Sequence, residues 1–157
     1  MIEELTTRLK AKGRSLGFTM IGVIPAAPGR RLEAYRPWLA SGYHGEMGYL
    51  ARPDRTIRRA DLNVILPDVP SIVCVGLDYY PGPLPAEVAS DPSRGRISSY
   101  AWGRDYHDVM APRLAELASW LEEKSSVSTR SKVYVDTGAI LERDHGESAG
   151  FGFTGKN

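Results

Sequence analysis

The residue with the strongest claim to chemistry is Asp136. It closes the segment KVYVD, in which apolar Val133 and Val135 alternate with Lys132, Tyr134 and Asp136 at the two-residue period of a strand. Thr137 and Gly138 then turn the chain, which predicts a carboxylate at a strand end, facing a loop. Tyr134, Phe151 and Phe153 are its aromatic neighbours in sequence. A carboxyl held among such rings loses solvation, so its pKa rises and it stays protonated near neutrality, as a general acid requires. An aspartate after a strand also serves as a turn or helix cap, and the residues alone leave both roles open.

Other reactive patterns are weaker. Gly150, Gly152 and Gly155 in GFGFTGKN bring bare backbone up to whatever Asp136 faces. They do not make a phosphate loop, because Lys156 is followed by Asn157 where Ser or Thr is needed, nor a dinucleotide fingerprint, whose glycines open a helix directly after a first strand. His44, His107 and His145 lie far apart, outside any metal-spacing motif, and read as surface or hydrogen-bonding residues. Neither a GxSxG elbow nor an HExxH pair is present. Cys74, the single cysteine, sits in SIVCVGL and reads as a small buried hydrophobe; alone it excludes an intrachain disulfide and a cysteine-rich metal site.

The elements that must position Asp136 follow from periodicity. Ile2, Leu5, Leu9 and Leu16 predict a first helix over residues 3–16 with Gly17 as its cap, and FTMIGVI predicts a strand over 18–24. A short helix places Leu32, Tyr35, Trp38 and Leu39 on one side and stops at Ser41 and Gly42. Residues 43–59 show no clean period and read as a ligand-facing loop, followed by a turn of helix at 61–66. Residues 71–79 predict a central strand buried on both faces, 81–96 a long loop, and 97–102 an extended segment. Asp105 opens a helix lined by Val109, Leu114, Leu117, Ala118 and Leu121; Pro112 inside it predicts a kink or restart, since it costs about 3 kcal/mol relative to alanine. A short helical pattern around Ile140, Leu141 and Ala149 closes the chain, with Gly146 a weak point in it. Strands separated by helices predict an α+β domain built on a mixed β-sheet with helices on both faces.

The totals fit one domain. The chain has 157 residues, 42% hydrophobic and 25% charged, the balance of a globular protein. Net charge is +1, which excludes a global basic field for nucleic acid and leaves only local contacts. The N-terminal MIEELTTRLK lacks an apolar signal core and no run reaches membrane-spanning length, so the expectation is a cytoplasmic protein with no membrane partner.

Four ordered motifs carry a resemblance: YHGEMGYLAR at 43–52, RRADLNVILPDVPSIVCVGLDYYP at 58–81, SYAWGRDYHDVM at 99–110, and VDTGAILER followed by AGFGFTGKN. Together they resemble the N-terminal part of the epoxyqueuosine reductases, cobalamin-dependent iron-sulfur enzymes related in fold to the reductive dehalogenases, across the whole chain. The resemblance implies a nitroreductase-like cobalamin-binding domain and the reduction of epoxyqueuosine to queuosine in the anticodon of tRNA, the last step of queuosine biosynthesis. It implies that Asp136 is the proton donor and lies at the cofactor, that Arg59 contacts cobalamin, and that Ser98 or its neighbours lie along it. Trp102, Tyr106 and His107 fall in a matching pocket motif without an assigned role.

The resemblance also implies a second domain. Members of the family continue past GKN into a ferredoxin-like domain whose cysteines hold two 4Fe-4S clusters, and a chain with one cysteine cannot hold them. Residues 1–157 are therefore expected to be the N-terminal cobalamin-binding, catalytic domain, a truncated product or a fragment, monomeric and not competent alone, with its electron donor unknown. Arg52, Arg55, Arg58, Arg94, Arg96 and Arg104 are candidates for tRNA phosphates. The alternatives are a non-catalytic remnant or folding module, and a flavin-binding reductase of nitroreductase-like fold.

Overall fold

The computed structural model describes residues 2–155; Lys156 and Asn157, which close the glycine run, lie outside the described residues. Helix α1 spans Ile2–Ser15, with Glu3 and Glu4 in its first turn and Lys12 and Arg14 in its last, the arrangement that complements the helix dipole. Strand β1, Met20–Pro25, pairs antiparallel with β2, Ser71–Gly76, in a register running from Met20 opposite Gly76 to Pro25 opposite Ser71. Between them lie α2, Leu32–Ala40, and α3, Pro53–Ala60, the latter starting with proline, whose missing N–H is unpaired at a helix start in any case. The four-residue α4, Ala86–Ala89, interrupts the long loop, and α5 and α6 follow at Tyr106–Lys124 and Glu142–Ser148.

The core sits where α1 and α5 meet the sheet. Leu9, Phe18 and Leu117 are buried, and Ile21, Val23, Val73, Val75, Leu114 and Trp120 pack around them. Asp105 caps α5 by accepting the His107 N–H at 2.8 Å, which satisfies one of the unpaired first-turn amides. α6 touches both strands. At Gly22 an added Cβ would stand 2.7 Å from Ala149 Cβ and 2.9 Å from its carbonyl oxygen, so only glycine lets the end of α6 come that close.

Several sequence expectations give way here. The sheet among the described residues is two antiparallel strands rather than a mixed sheet, and β2 is half-buried rather than buried on both faces. Lys132–Asp136 has the alternating sequence pattern of a strand but pairs with none among the described residues; Val133, Tyr134 and Val135 are all half-buried, and an alternating sequence does not supply a partner. Residues 97–102 contain a 3-10 turn at Ser99–Ala101 instead of an extended segment. The segment read as a loop at 43–59 holds a 3-10 turn at Gly48–Ala51 and α3. α5 runs through Pro112 without a break, since the proline removes one bond while packing of Leu117 and its neighbours fixes the helix on both sides. Gly146 is likewise accommodated inside α6. No helix of the described residues is long and apolar enough to cross a membrane.

Candidate active site

A cleft of about 510 Å³ opens between α2 and α3 on one side and the segment leading into α6 on the other. The first wall is cationic and aromatic. Tyr35 stacks on Trp38 at 5.8 Å between ring centroids, and the Arg59 guanidinium lies 5.0 Å above the Tyr35 ring. The Tyr35 hydroxyl donates to the Leu50 carbonyl at 2.9 Å, and burial pushes its pKa up. Arg59 is only 5% exposed and its Nε has no hydrogen-bond partner, which is unusual for a buried charged group. Arg55 reaches across to donate to the Thr137 carbonyl at 3.3 Å.

The second wall carries Asp136, Ile140, Leu141 and Glu142. Asp136 has φ of 54°, the left-handed region that non-glycine residues rarely adopt. Two contacts hold it there. The Tyr106 hydroxyl at the start of α5 donates to Asp136 Oδ2 at 2.5 Å, and the Asp136 backbone N–H donates to Glu142 Oε1 at 3.1 Å. Gly138, buried in the same turn, permits the close approach: a Cβ there would stand 2.6 Å from Tyr134 Cγ. The turn is anchored through α6, where buried Asp144 accepts the Arg31 backbone N–H and Nη1, each at 2.7 Å, and Arg31 also bridges Glu147 at 2.8 Å.

Electrostatics correct one sequence expectation. Asp136 is not lifted by an aromatic cage: Phe153 is 88% exposed, and the Tyr106 and then the Glu142 hydrogen bonds lower the Asp136 pKa. The raised carboxyl is Glu142, pushed up to about 7 by burial first and then by its hydrogen bond with, and charge repulsion from, Asp136. Tyr106 is pushed up to about 12, chiefly because its proton is engaged by Asp136.

The cleft brings Asp136 and Arg59 together but does not include Ser98, which is exposed at the N-cap of the 3-10 turn. Of the pocket-motif residues, Tyr106 reaches Asp136, His107 stacks on Tyr106 at 4.2 Å, and Trp102 Nε1 donates to the Ile97 carbonyl. His145 is buried rather than superficial, with Nε2 unpartnered, and no group of residues suited to a metal ion occurs among the described residues. Thr154 of the glycine run lines the cleft. Glu142 is the residue sequence reasoning misses; its signal is an acid six positions after Asp136, across a Gly-containing turn and at the first position of a helix.

The chain has clear relatives among known proteins. Residues 59–137, half of the chain, match the family described as "Epoxyqueuosine reductase QueG, DUF1730". An epoxyqueuosine reductase of Gloeobacter violaceus is 41% identical over 152 residues, covering 96% of this chain and 45% of that protein. The epoxyqueuosine reductase structure from Streptococcus thermophilus superposes with a TM-score of 0.79 at 26% identity, over 96% of this chain and 40% of that one. An epoxyqueuosine reductase solved with an epoxyqueuosine-modified tRNA-Tyr stem loop superposes at 0.74 and 28% identity, over 98% and 40%. The chain thus spans less than half the length of these relatives. With a family match across half its residues and two structural relatives sharing its α+β fold, the chain belongs to the epoxyqueuosine reductase family.

Proposed function

We propose that this chain is the part of an epoxyqueuosine reductase that carries the catalytic acid and one wall of a cobalamin cleft, in a nitroreductase-like domain acting on epoxyqueuosine in tRNA. The observation that carries the reading is Asp136, held in a left-handed turn at the mouth of the cleft by Tyr106 and Glu142. Converting an epoxide to an alkene consumes two electrons and two protons and releases the oxygen as water. The oxygen must be protonated as it departs, and one positioned carboxyl suffices for that step.

The lining fits an edge of a large amide-bearing macrocycle. The orphaned Arg59 Nε lacks an acceptor, which an amide or phosphate of such a group supplies, and Tyr35, Trp38 and Leu50 offer apolar area beside it. When bound, cobalamin would supply the reducing centre that attacks the epoxide. Arg59 would hold it, Thr154 and the glycine run would border it, and Asp136 would face the reacting oxygen; Ser98 stands as a contact from the neighbouring loop. The 4Fe-4S clusters that feed electrons to the centre need cysteine ligands that this sequence, with one cysteine, does not contain. Cys74 itself is half-buried on β2.

For tRNA, exposed Arg52 and Arg58, together with exposed Tyr49 under the Arg55 guanidinium at 5.6 Å, suit a phosphate-and-base contact near the cleft, although Arg52 and Arg58 also pair with Asp54 at 2.9 and 3.9 Å. The test is a cobalamin titration of the chain followed by visible absorption, joined to Asp136→Ala in a full-length relative. A shifted cobalt spectrum, and a variant that keeps cofactor but loses turnover, support the reading. An unchanged spectrum with this chain and a variant that retains turnover would leave it a scaffold without catalytic function.

A further inference from the structure

The geometry points to a carboxyl dyad: we propose that Glu142 stores the proton that Asp136 delivers, positioning the acid through its backbone and recharging it after each transfer. This rests on Asp136 being the acid of epoxide reduction. The need is physical. The hydrogen bond from Tyr106 favours the ionised form of Asp136, so at neutral pH this cleft-lining acid is a carboxylate and has to be loaded before each transfer.

Glu142 is placed for that task. Its Oε1 already accepts the Asp136 N–H at 3.1 Å, both side chains line the same cleft, and Glu142 is the more sheltered of the two. Two carboxyls this close do not both ionise freely, and the shared proton rests on the one that water solvates less. The groups facing Glu142 are few. The Cys74 thiol on β2 is near enough to feel its charge, His107 on α5 opposes the rise, Arg143 follows it in sequence and acts on Asp136, and Arg55 and Arg59 line the opposite wall. Burial and Asp136 outweigh them, and Glu142 remains protonated up to about pH 7.

The step is a proton relay without change of oxidation state in the protein. The Glu142 O–H bond breaks as the proton passes to an Asp136 carboxylate oxygen. Asp136 then gives that proton to the oxygen leaving the epoxide carbon, and the Glu142 carboxylate takes a fresh proton from water. Two passages per turnover accompany the two electrons from the iron-sulfur reductant and yield alkene and water.

The first test uses this chain with ¹³C-labelled carboxyls, followed by NMR titration. Wild type should show Glu142 titrating near pH 7, and Asp136→Asn should move that midpoint down by about one unit or more, the size expected when a neighbouring like charge is removed. A Glu142 midpoint in the ordinary carboxylate range, unmoved by Asp136→Asn, overturns the dyad. The second test is the pH profile of a full-length relative carrying the same pair. Glu142→Gln should lower kcat about 100-fold at pH 6.5, where wild-type Glu142 holds its proton and Asp136 does not, with KM and the cofactor spectrum unchanged, lose far less at pH 9, where wild-type Glu142 has already released it, and be partly rescued as Glu142→Asp. An equal loss at every pH, without rescue, shows a merely structural residue and refutes the relay. If instead Asp136→Asn keeps full turnover while the titration shows the dyad, the acid assignment fails and the dyad survives it.

Discussion

Replacing Glu142 with glutamine should make the fold more stable in alkaline solution, the reverse of what loss of a hydrogen-bonded side chain ordinarily does. Glu142 titrates near 7 in the fold against an ordinary value of 4.5, so between those pH values the folded chain holds a proton that the unfolded chain has released. Stability from this group is therefore intact below about pH 4.5, falls as pH rises through the window, and is flat above 7. A gap of this size corresponds to at most about 3 kcal/mol, and partial access to water brings the expectation to about 1–3 kcal/mol. Glutamine is the neutral isostere, keeps an oxygen to accept the Asp136 N–H, and has no charge to desolvate. At pH 4 the variant and wild type should unfold together; at pH 8 the variant should require about 0.5–1.5 M more urea, taking a slope of about 2 kcal/mol/M. Asp136, lowered rather than raised, titrates below this window, and buried His145, depressed from 6.5, affects both proteins alike. Equal midpoint differences at pH 4 and pH 8 would show that Glu142 has no raised pKa in the fold and would remove the basis of the dyad.

At Asp136 itself, Asn should preserve the left-handed turn and Gly should relax it, whereas Ala should cost about 1 kcal/mol more than Asn in urea unfolding, because its Cβ bears the strain without a polar side chain to offset it. Gly146→Ala should raise stability by about 0.5–1 kcal/mol, since the position is helical and an added methyl meets only Phe151 Cδ2 at 3.7 Å; a lower melting temperature would contradict that. Gly138→Ala should do the opposite and displace the Asp136 turn, because the methyl would collide with the Tyr134 ring, visible as loss of the near-neutral Glu142 titration. Cys74 should resist thiol reagents at pH 7, its half-buried thiol being pushed up to about 11 by burial; rapid labelling of the folded chain would show that the β2–α6 contact opens readily.

Local pattern carried much of the fold. The amphipathic spacing of α1, the cap at Asp105 and the β-branched runs of both strands act within a few residues of where they are written, so helices and strands there are legible. Partners are not local. Lys132–Asp136 alternates like a strand, yet whether it pairs depends on what lies beside it, and no neighbour among the described residues does. The position of Asp136 as a carboxyl entering a turn was legible, and the four motifs made it the expected proton donor, but the sign of its pKa shift was not legible. That sign follows from Tyr106, thirty residues away in sequence and 2.5 Å away in space. Glu142 stayed hidden for the same reason: six residues on from Asp136, it reads as an ordinary first-turn helix acid until the turn folds it back onto the Asp136 amide.

The left-handed backbone at position 136 also decides which acid can stand there. Aspartate and asparagine enter that conformation several times more readily than longer side chains, since a short polar group can bond to nearby backbone. Glutamate, chemically an equal proton donor, would meet both the strain and an extra methylene beside Tyr106. Of the two residues that suit this turn best, only aspartate carries a proton it can give up. For the proposed proton donor, the choice of side chain is thus set by the backbone before acidity is consulted, and a designer moving this turn to another scaffold would have to carry the left-handed residue along with the carboxyl.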